Sequence, residues 1–149
     1  MPEAIIRQIQ EHELEPLLEL YTHLNPNDAP VERGERLDAQ WERMVANPDL
    51  EIWVADEGGD LVASCSLVLV DNLTRGARPY ALIENVVTRA DRRRLGYGHA
   101  VLKAAIESAR ERGCYKVMLM TSSKQESVLS FYEGAGFLKG YKTGFYMQL

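Results

Sequence analysis

The chain has 149 residues, 46% of them apolar and 26% charged, with a net charge of -5. These amounts fit a single globular domain over residues 1–149 with one substantial core, and they argue against nonspecific nucleic-acid binding as the main task. The longest apolar stretch, Leu67 to Val70, is strand-sized rather than bilayer-spanning, and the acidic N-terminus is unlike a secretory leader, so a cytoplasmic protein without membrane association is expected.

Cys65 and Cys114 lie in apolar surroundings and read as buried structural thiols. His12, His23 and His99 form no ligand pattern, so no metal is expected.

In chain order, Ala4 to Ile9 reads as a first short strand. Leu14, Leu17, Leu18, Tyr21 and Leu24 follow helical spacing, and the turn residues Asn25 to Pro30 end that helix. A second helix covers Glu35 to Val45, with Leu37, Trp41, Met44 and Val45 on one side. Glu51 to Asp56 and Leu61 to Val70 read as a hairpin around the turn EGGD. Tyr80 to Thr88 is a mostly apolar strand, expected to be central and covered on both faces.

Val101, Leu102, Ala105, Ile106 and Ala109 make the apolar stripe of the next helix, which Gly113 ends. Tyr115 to Thr121 reads as another buried strand. Val128, Phe131, Tyr132 and Ala135 mark a last helix stopped at Gly136, and Thr143 to Leu149 reads as a final strand. The order predicts an α/β fold with a mixed sheet. Its first half is antiparallel, and a right-handed strand-helix-strand crossover makes Tyr80–Thr88 and Tyr115–Thr121 parallel neighbours or near neighbours.

The loop DRRRLGYG, between the central strand and its helix, concentrates positive charge in an acidic chain. A helix start leaves backbone N–H groups unpaired and carries partial positive charge. Gly96 and Gly98 let an anion approach those groups, and Arg93 adds charge, so the loop suits a pyrophosphate. An ordinary solvated loop leading into a helix is the competing reading. No Gly-Lys-Ser/Thr follows, which excludes a Walker loop. Val101 stands where a dinucleotide fingerprint needs its third glycine.

Together, Arg93, Gly96 and Gly98 after the strand IENVVT, and Phe131, Tyr132, Gly136 and Phe137 in SFYEGAGF, resemble the GNAT superfamily of acetyl-CoA-dependent N-acetyltransferases. The likeness covers Leu50 to the C-terminus, and IENVVT, GCYKVML and FYEGAGF are most similar to glucosamine-6-phosphate N-acetyltransferases. It implies a GNAT fold, a mixed central sheet with helices on both faces, and acetyl-CoA as co-substrate. It further implies that the strand end Val86, Val87 and Thr88 pairs with the pantetheine arm, while amides of Arg93, Arg94, Leu95, Gly96, Tyr97, Gly98 and His99 hold the pyrophosphate. The family often has glycine where this chain has Arg94, a difference that matters only if φ there is positive. It often has asparagine where this chain has Gln125.

The implied chemistry moves acetyl from a thioester to a primary amine by direct attack in a ternary complex, with no acetylated cysteine on the way. Tyr132 is the candidate general acid for the leaving sulfur; it can equally be only part of its helix's apolar stripe. Glu84, the one ionisable residue inside its strand, is the candidate base, or else a binder of the ammonium group. Alternation puts it on the face of Leu82 and Val86, and burial is expected to tune it. Asn85 faces the other way unless a bulge intervenes.

In this family the acceptor is walled by the two N-terminal helices. Tyr21, Asn25, Asp28, Glu32, Arg33, Arg36 and Trp41 are the candidates here, with Tyr21 and Trp41 also readable as core. A small amine, such as an amino sugar phosphate or an aminophosphonate, is the first acceptor class and a peptide lysine the second. A non-catalytic acyl-CoA sensor is the reading from another class. The apolar C-terminal segment suggests a homodimer.

Overall fold

The hairpin turn, the helix stops and the β-branched strands do organise the chain as their residue types require, and the result is a five-stranded sheet with helices on both faces. The computed structural model describes residues 3–149. The strands are β1 (Ile5–Gln8), β2 (Leu50–Glu57), β3 (Asp60–Val70), β4 (Tyr80–Thr88) and β5 (Val117–Met118), in the spatial order β1-β2-β3-β4-β5. The first four pair antiparallel and β4 pairs parallel with β5, through Ala81–Val117 and Leu82–Met118. The helices are α1 (Leu14–Tyr21), α2 (Glu35–Ala46), the single turn α3 (Thr74–Ala77), α4 (Tyr97–Glu111) and α5 (Glu126–Gly134).

Strand alternation divides the core into two layers. Trp53 and Ala55 of β2 pack with Cys65 and Leu67 of β3 against Val101, Leu102, Ala105 and Ala109 of α4, and Phe131 and Tyr132 of α5 join them. Ile52 and Val54 turn to the opposite face, where Leu17, Leu20 and Trp41 of α1 and α2 cover them. The Trp41 indole N–H donates to the Glu11 carbonyl at 2.7 Å, which satisfies its polar edge within that layer.

Helix termini follow the expected stops. Gly113 (φ 82°) follows α4 and Gly136 (φ 104°) follows α5, both in the left-handed region that glycine occupies without a Cβ penalty.

Four expectations are corrected. The strand expected over Tyr115–Thr121 shortens to Val117–Met118, because β4 and β5 stay parallel for only two residue pairs and then separate. The strand expected over Thr143–Leu149 does not form: among the described residues the segment pairs with no strand, and Phe145 is 89% exposed. The central strand β4 is not covered throughout, since Glu84 and Asn85 are exposed. In α1 the stripe also shifts, with Leu20 rather than Leu18 buried beside Leu17.

Leu102 is fully buried between α4 and the sheet. Leu102→Ala is expected to lower unfolding free energy by about 2–5 kcal/mol, read from chemical denaturation midpoints at constant m-value.

Candidate active site

The site begins where the sheet opens. β5 ends at Met118 while β4 runs on to Thr88, so the β4 edge from Ile83 onward has no strand beside it on that side. An extended ligand can add to such an edge as a strand would. Between the diverging strands lies a cleft of about 970 Å³, lined by Leu82, Glu84, Leu119, Tyr132 and Phe137 among others. Glu84 and Tyr132, far apart in sequence, therefore share one cavity.

A β-bulge shapes the wall of this cleft. Ser66 pairs with Glu84 and Ser64 with Val87, so one residue of β3 (Cys65) spans two of β4 (Asn85 and Val86). Asn85 takes the extra turn at φ 52°, a conformation asparagine tolerates better than most residues. The bulge reverses alternation beyond it. Val86 packs with Ala81 and Ile83 on the α4 side, and Val87 joins the α1–α2 layer. The expected common face of Glu84 and Val86 is thus corrected. So is the expected burial of Glu84, which stands exposed at the bulge.

The loop between β4 and α4 is strained at a defined point. Arg94 sits at φ 64°, the case in which the missing glycine matters. Gly96, at φ 91°, caps the N-terminus of α4, whose first amides have no acceptor within the helix. Gly98 has a different reason to be glycine: a Cβ there would lie 2.9 Å from Phe131 Cζ and 3.1 Å from Thr88 Oγ1. His99 adds a second tie to α5, its Nε2–H donating to the Phe131 carbonyl at 3.0 Å. The loop, the end of β4 and the helix carrying Tyr132 are therefore packed as one unit.

The arginines divide in role. Arg92 is engaged by Glu57 (Nε to Oε1, 2.9 Å) and Asp91 (3.1 Å). Arg93 donates to the carbonyls of Thr88 at 3.4 Å and His23 at 3.3 Å, bridging the β4 end to the segment after α1. Arg93, Arg94 and Leu95 are exposed, whereas Tyr97 and Gly98 are buried.

Tyr132 is half-buried, edge-on to Phe131 (5.1 Å) and Phe137 (6.3 Å). Burial, then the nearby Cys65 and Glu84, pushes its hydroxyl above the ordinary tyrosine range, so it remains a proton donor at and above neutral pH. The Cys65 thiol is pushed up to about 12 by burial, and the Cys114 thiol is also raised, chiefly by burial. A thiol held protonated is a poor nucleophile.

Of the acceptor candidates, Tyr21, Asn25, Asp28 and Arg33 line a second cleft of about 620 Å³ beside α1. Glu32 and Arg36 are exposed outside that lining, and Trp41 belongs to the core. Arg33 is forked onto Glu15 at 2.7 and 2.8 Å. Burial raises the Tyr21 hydroxyl, and the nearby Ser66 side chain partly opposes that rise. Ser66 in turn is the register partner of Glu84, which links this wall to the open cleft.

Sequence reasoning missed Glu57, Ser66 and the contact of Gly98 with Phe131. Asn85, an αL-tolerant residue within a strand, was the one local signal of the bulge.

Comparison with known proteins agrees with the fold. Residues 14–137 match the family model described as "Acetyltransferase (GNAT) family". A glucosamine 6-phosphate N-acetyltransferase of Trypanosoma brucei brucei is 35% identical over 133 residues, covering 89% of this chain and 87% of that protein. A solved structure from Agrobacterium tumefaciens str. C58, named as a candidate acetyltransferase, is 47% identical with a TM-score of 0.91, covering 97% of this chain and 99% of that one. An aminoglycoside N-acetyltransferase in complex with CoA, 18% identical, shares the fold at a TM-score of 0.78 over 98% of this chain and 95% of that one.

Two substitutions test the loop. Arg94→Gly is expected to stabilise by about 0.5–1 kcal/mol, the left-handed penalty less the added entropy of glycine. Gly98→Ala is expected to destabilise by about 1–3 kcal/mol, as Phe131 is displaced. Equilibrium denaturation of the two variants beside the parent checks both signs.

Proposed function

Because the chain belongs to the GNAT acetyltransferase family and uses acetyl-CoA as acetyl donor, we propose that it acetylates the primary amine of a small molecule by direct attack in a ternary complex, with an amino sugar phosphate as the leading acceptor class. The observation that carries this reading is the shared cleft of Glu84 and Tyr132 at the parting of β4 and β5. The likeness to a protein named as a glucosamine 6-phosphate N-acetyltransferase supports the acceptor class. The proposal treats residues 1–149 as one catalytic domain working in the cytoplasm; no described helix is long and apolar enough to cross a membrane.

The residues fit the donor. The open β4 edge at Val86 to Thr88 offers backbone groups to a pantetheine arm, and the start of α4 with Gly96 offers amides to a pyrophosphate. The donor supplies a thioester carbonyl activated toward nucleophiles.

An alkylammonium group, with pKa near ~10, must lose a proton before it attacks. Glu84, exposed on the cleft wall, accepts that proton directly or through a water. The N–C bond forms, the nitrogen sheds its second proton to solvent, and the C–S bond breaks. Amides at the β4 end stabilise the negative charge that develops on the carbonyl oxygen. Tyr132 donates its proton to the departing sulfur and regains one from solvent.

A homodimer is part of the same proposal. Tyr141, Phe145, Tyr146, Met147 and Leu149 are exposed on a segment without a ladder, beside the short edge strand β5. A second copy of this chain, pairing its own C-terminal segment there, buries these side chains and satisfies the backbone.

Thiol release measured across a panel of amino sugar phosphates, aminophosphonates and lysine peptides is expected to find turnover among the small amines; turnover on peptides alone overturns the acceptor assignment. With the best acceptor, Tyr132→Phe and Glu84→Gln are each expected to lower kcat by roughly 10²-fold or more, with binding of CoA retained. Sedimentation at micromolar concentration is expected to give a dimer, and Phe145→Glu a monomer.

A further inference from the structure

The loop from Arg92 to Tyr97 is held at both shoulders by one carboxylate from a distant hairpin. Glu57 ends β2, just before the Gly58–Gly59 turn. Its Oε1 accepts from Arg92 Nε at 2.9 Å, on the near side of the loop. Its Oε2 accepts from the hydroxyl of Tyr97, the first residue of α4, on the far side. The Tyr97 residue is 3% exposed, so the ring cannot swing out to find another acceptor without leaving the core. Between these two anchors lie Arg93, Arg94, Leu95 and Gly96, all exposed and including the two left-handed positions, Arg94 and Gly96.

The electrostatics suit a clamp rather than a ligand. The Tyr97 hydroxyl, then Arg92, holds the Glu57 carboxyl below the usual carboxylate range, so it is charged at neutral pH. The Tyr97 hydroxyl is raised, first by burial and then by its bond to Glu57, and stays a donor. Arg92 shares its charge between Glu57 and Asp91. That leaves Arg93, Arg94 and the α4 amides to face an incoming anion.

We propose that Glu57 is a positioning residue for the donor's pyrophosphate: by gripping Arg92 and Tyr97 it fixes the strained backbone between them in its anion-binding form. This rests on the reading that the Arg93–His99 loop holds the pyrophosphate. The clamp does not touch the reacting atoms, so its effect is confined to donors that carry phosphates.

The test compares acetyl-CoA with acetyl-pantetheine, which has the same thioester and arm without the pyrophosphate, in the parent, Tyr97→Phe and Glu57→Gln. Both changes keep side-chain size, and the second serves if the first fails to fold. Each variant is expected to raise KM for acetyl-CoA by about fivefold, as loss of one hydrogen bond implies, while KM for acetyl-pantetheine and kcat at saturating donor stay within about twofold. The double variant is expected to lose no more than the larger single loss, since both act through one clamp. Equal increases in KM for both donors, or no increase for either, overturn the proposal. Calorimetric Kd values for CoA and pantetheine on the parent separate the two levels. A parent that binds both equally overturns the phosphate reading of the loop, and the clamp with it; a parent that prefers CoA, with variants that keep the preference, overturns the clamp alone.

Discussion

The site depends on the parting of two parallel strands. β4 and β5 share two register pairs and then diverge, which leaves β4 from Ile83 to Thr88 with an open edge. A sheet that stayed closed would pair those backbone groups and leave no cleft. Once it opens, the elements at its margins acquire their positions: α4 begins at the end of the exposed edge, α5 brings Tyr132 to the opening, and the segment from Gly136 to Gly144 borders it. The cost of the unpaired edge is offset by the two continuous apolar layers behind it, which anchor β2 and β3 on both faces.

Two of the four described non-glycine residues at positive φ lie at the same margin. Asn85 in β4 and Arg94 in the loop both hold positive φ, one just before and one just after the turn of the chain. Such conformations persist only where the surroundings over-determine them. At Asn85 the surrounding ladder does so, with Ser66 and Ser64 in register on either side. At Arg94 the anchors lie on the flanks, in the Glu57 pairings and in the reach of Arg93 to Thr88 and His23. Preorganisation of this kind places donors before a ligand arrives.

Much of this was legible from residue types. β4 runs over the Tyr80–Thr88 expected from its apolar run, α4 shows its stripe and its glycine stop, and the two motif segments identify the family. What the chain concealed was non-local. The bulge that exposes Glu84 arises from the pairing of β3 with β4, and alternation within one strand cannot reveal it. Glu57 reads as a turn residue of EGGD; only the hairpin's place beside α4 brings it to Tyr97. The C-terminal segment has the composition of a strand, but a strand is a property of two segments, and within the described chain the second is missing.

The contact beneath Gly98 has a consequence for how such sequences drift. The space for a β-carbon at position 98 is already taken by the ring of Phe131. The two positions therefore cannot vary independently: alanine at 98 calls for a smaller or displaced side chain at 131, and a displaced 131 moves the tyrosine next to it. A constraint usually credited to phosphate approach is, in this chain, equally a covariation rule between the loop and the helix that carries Tyr132.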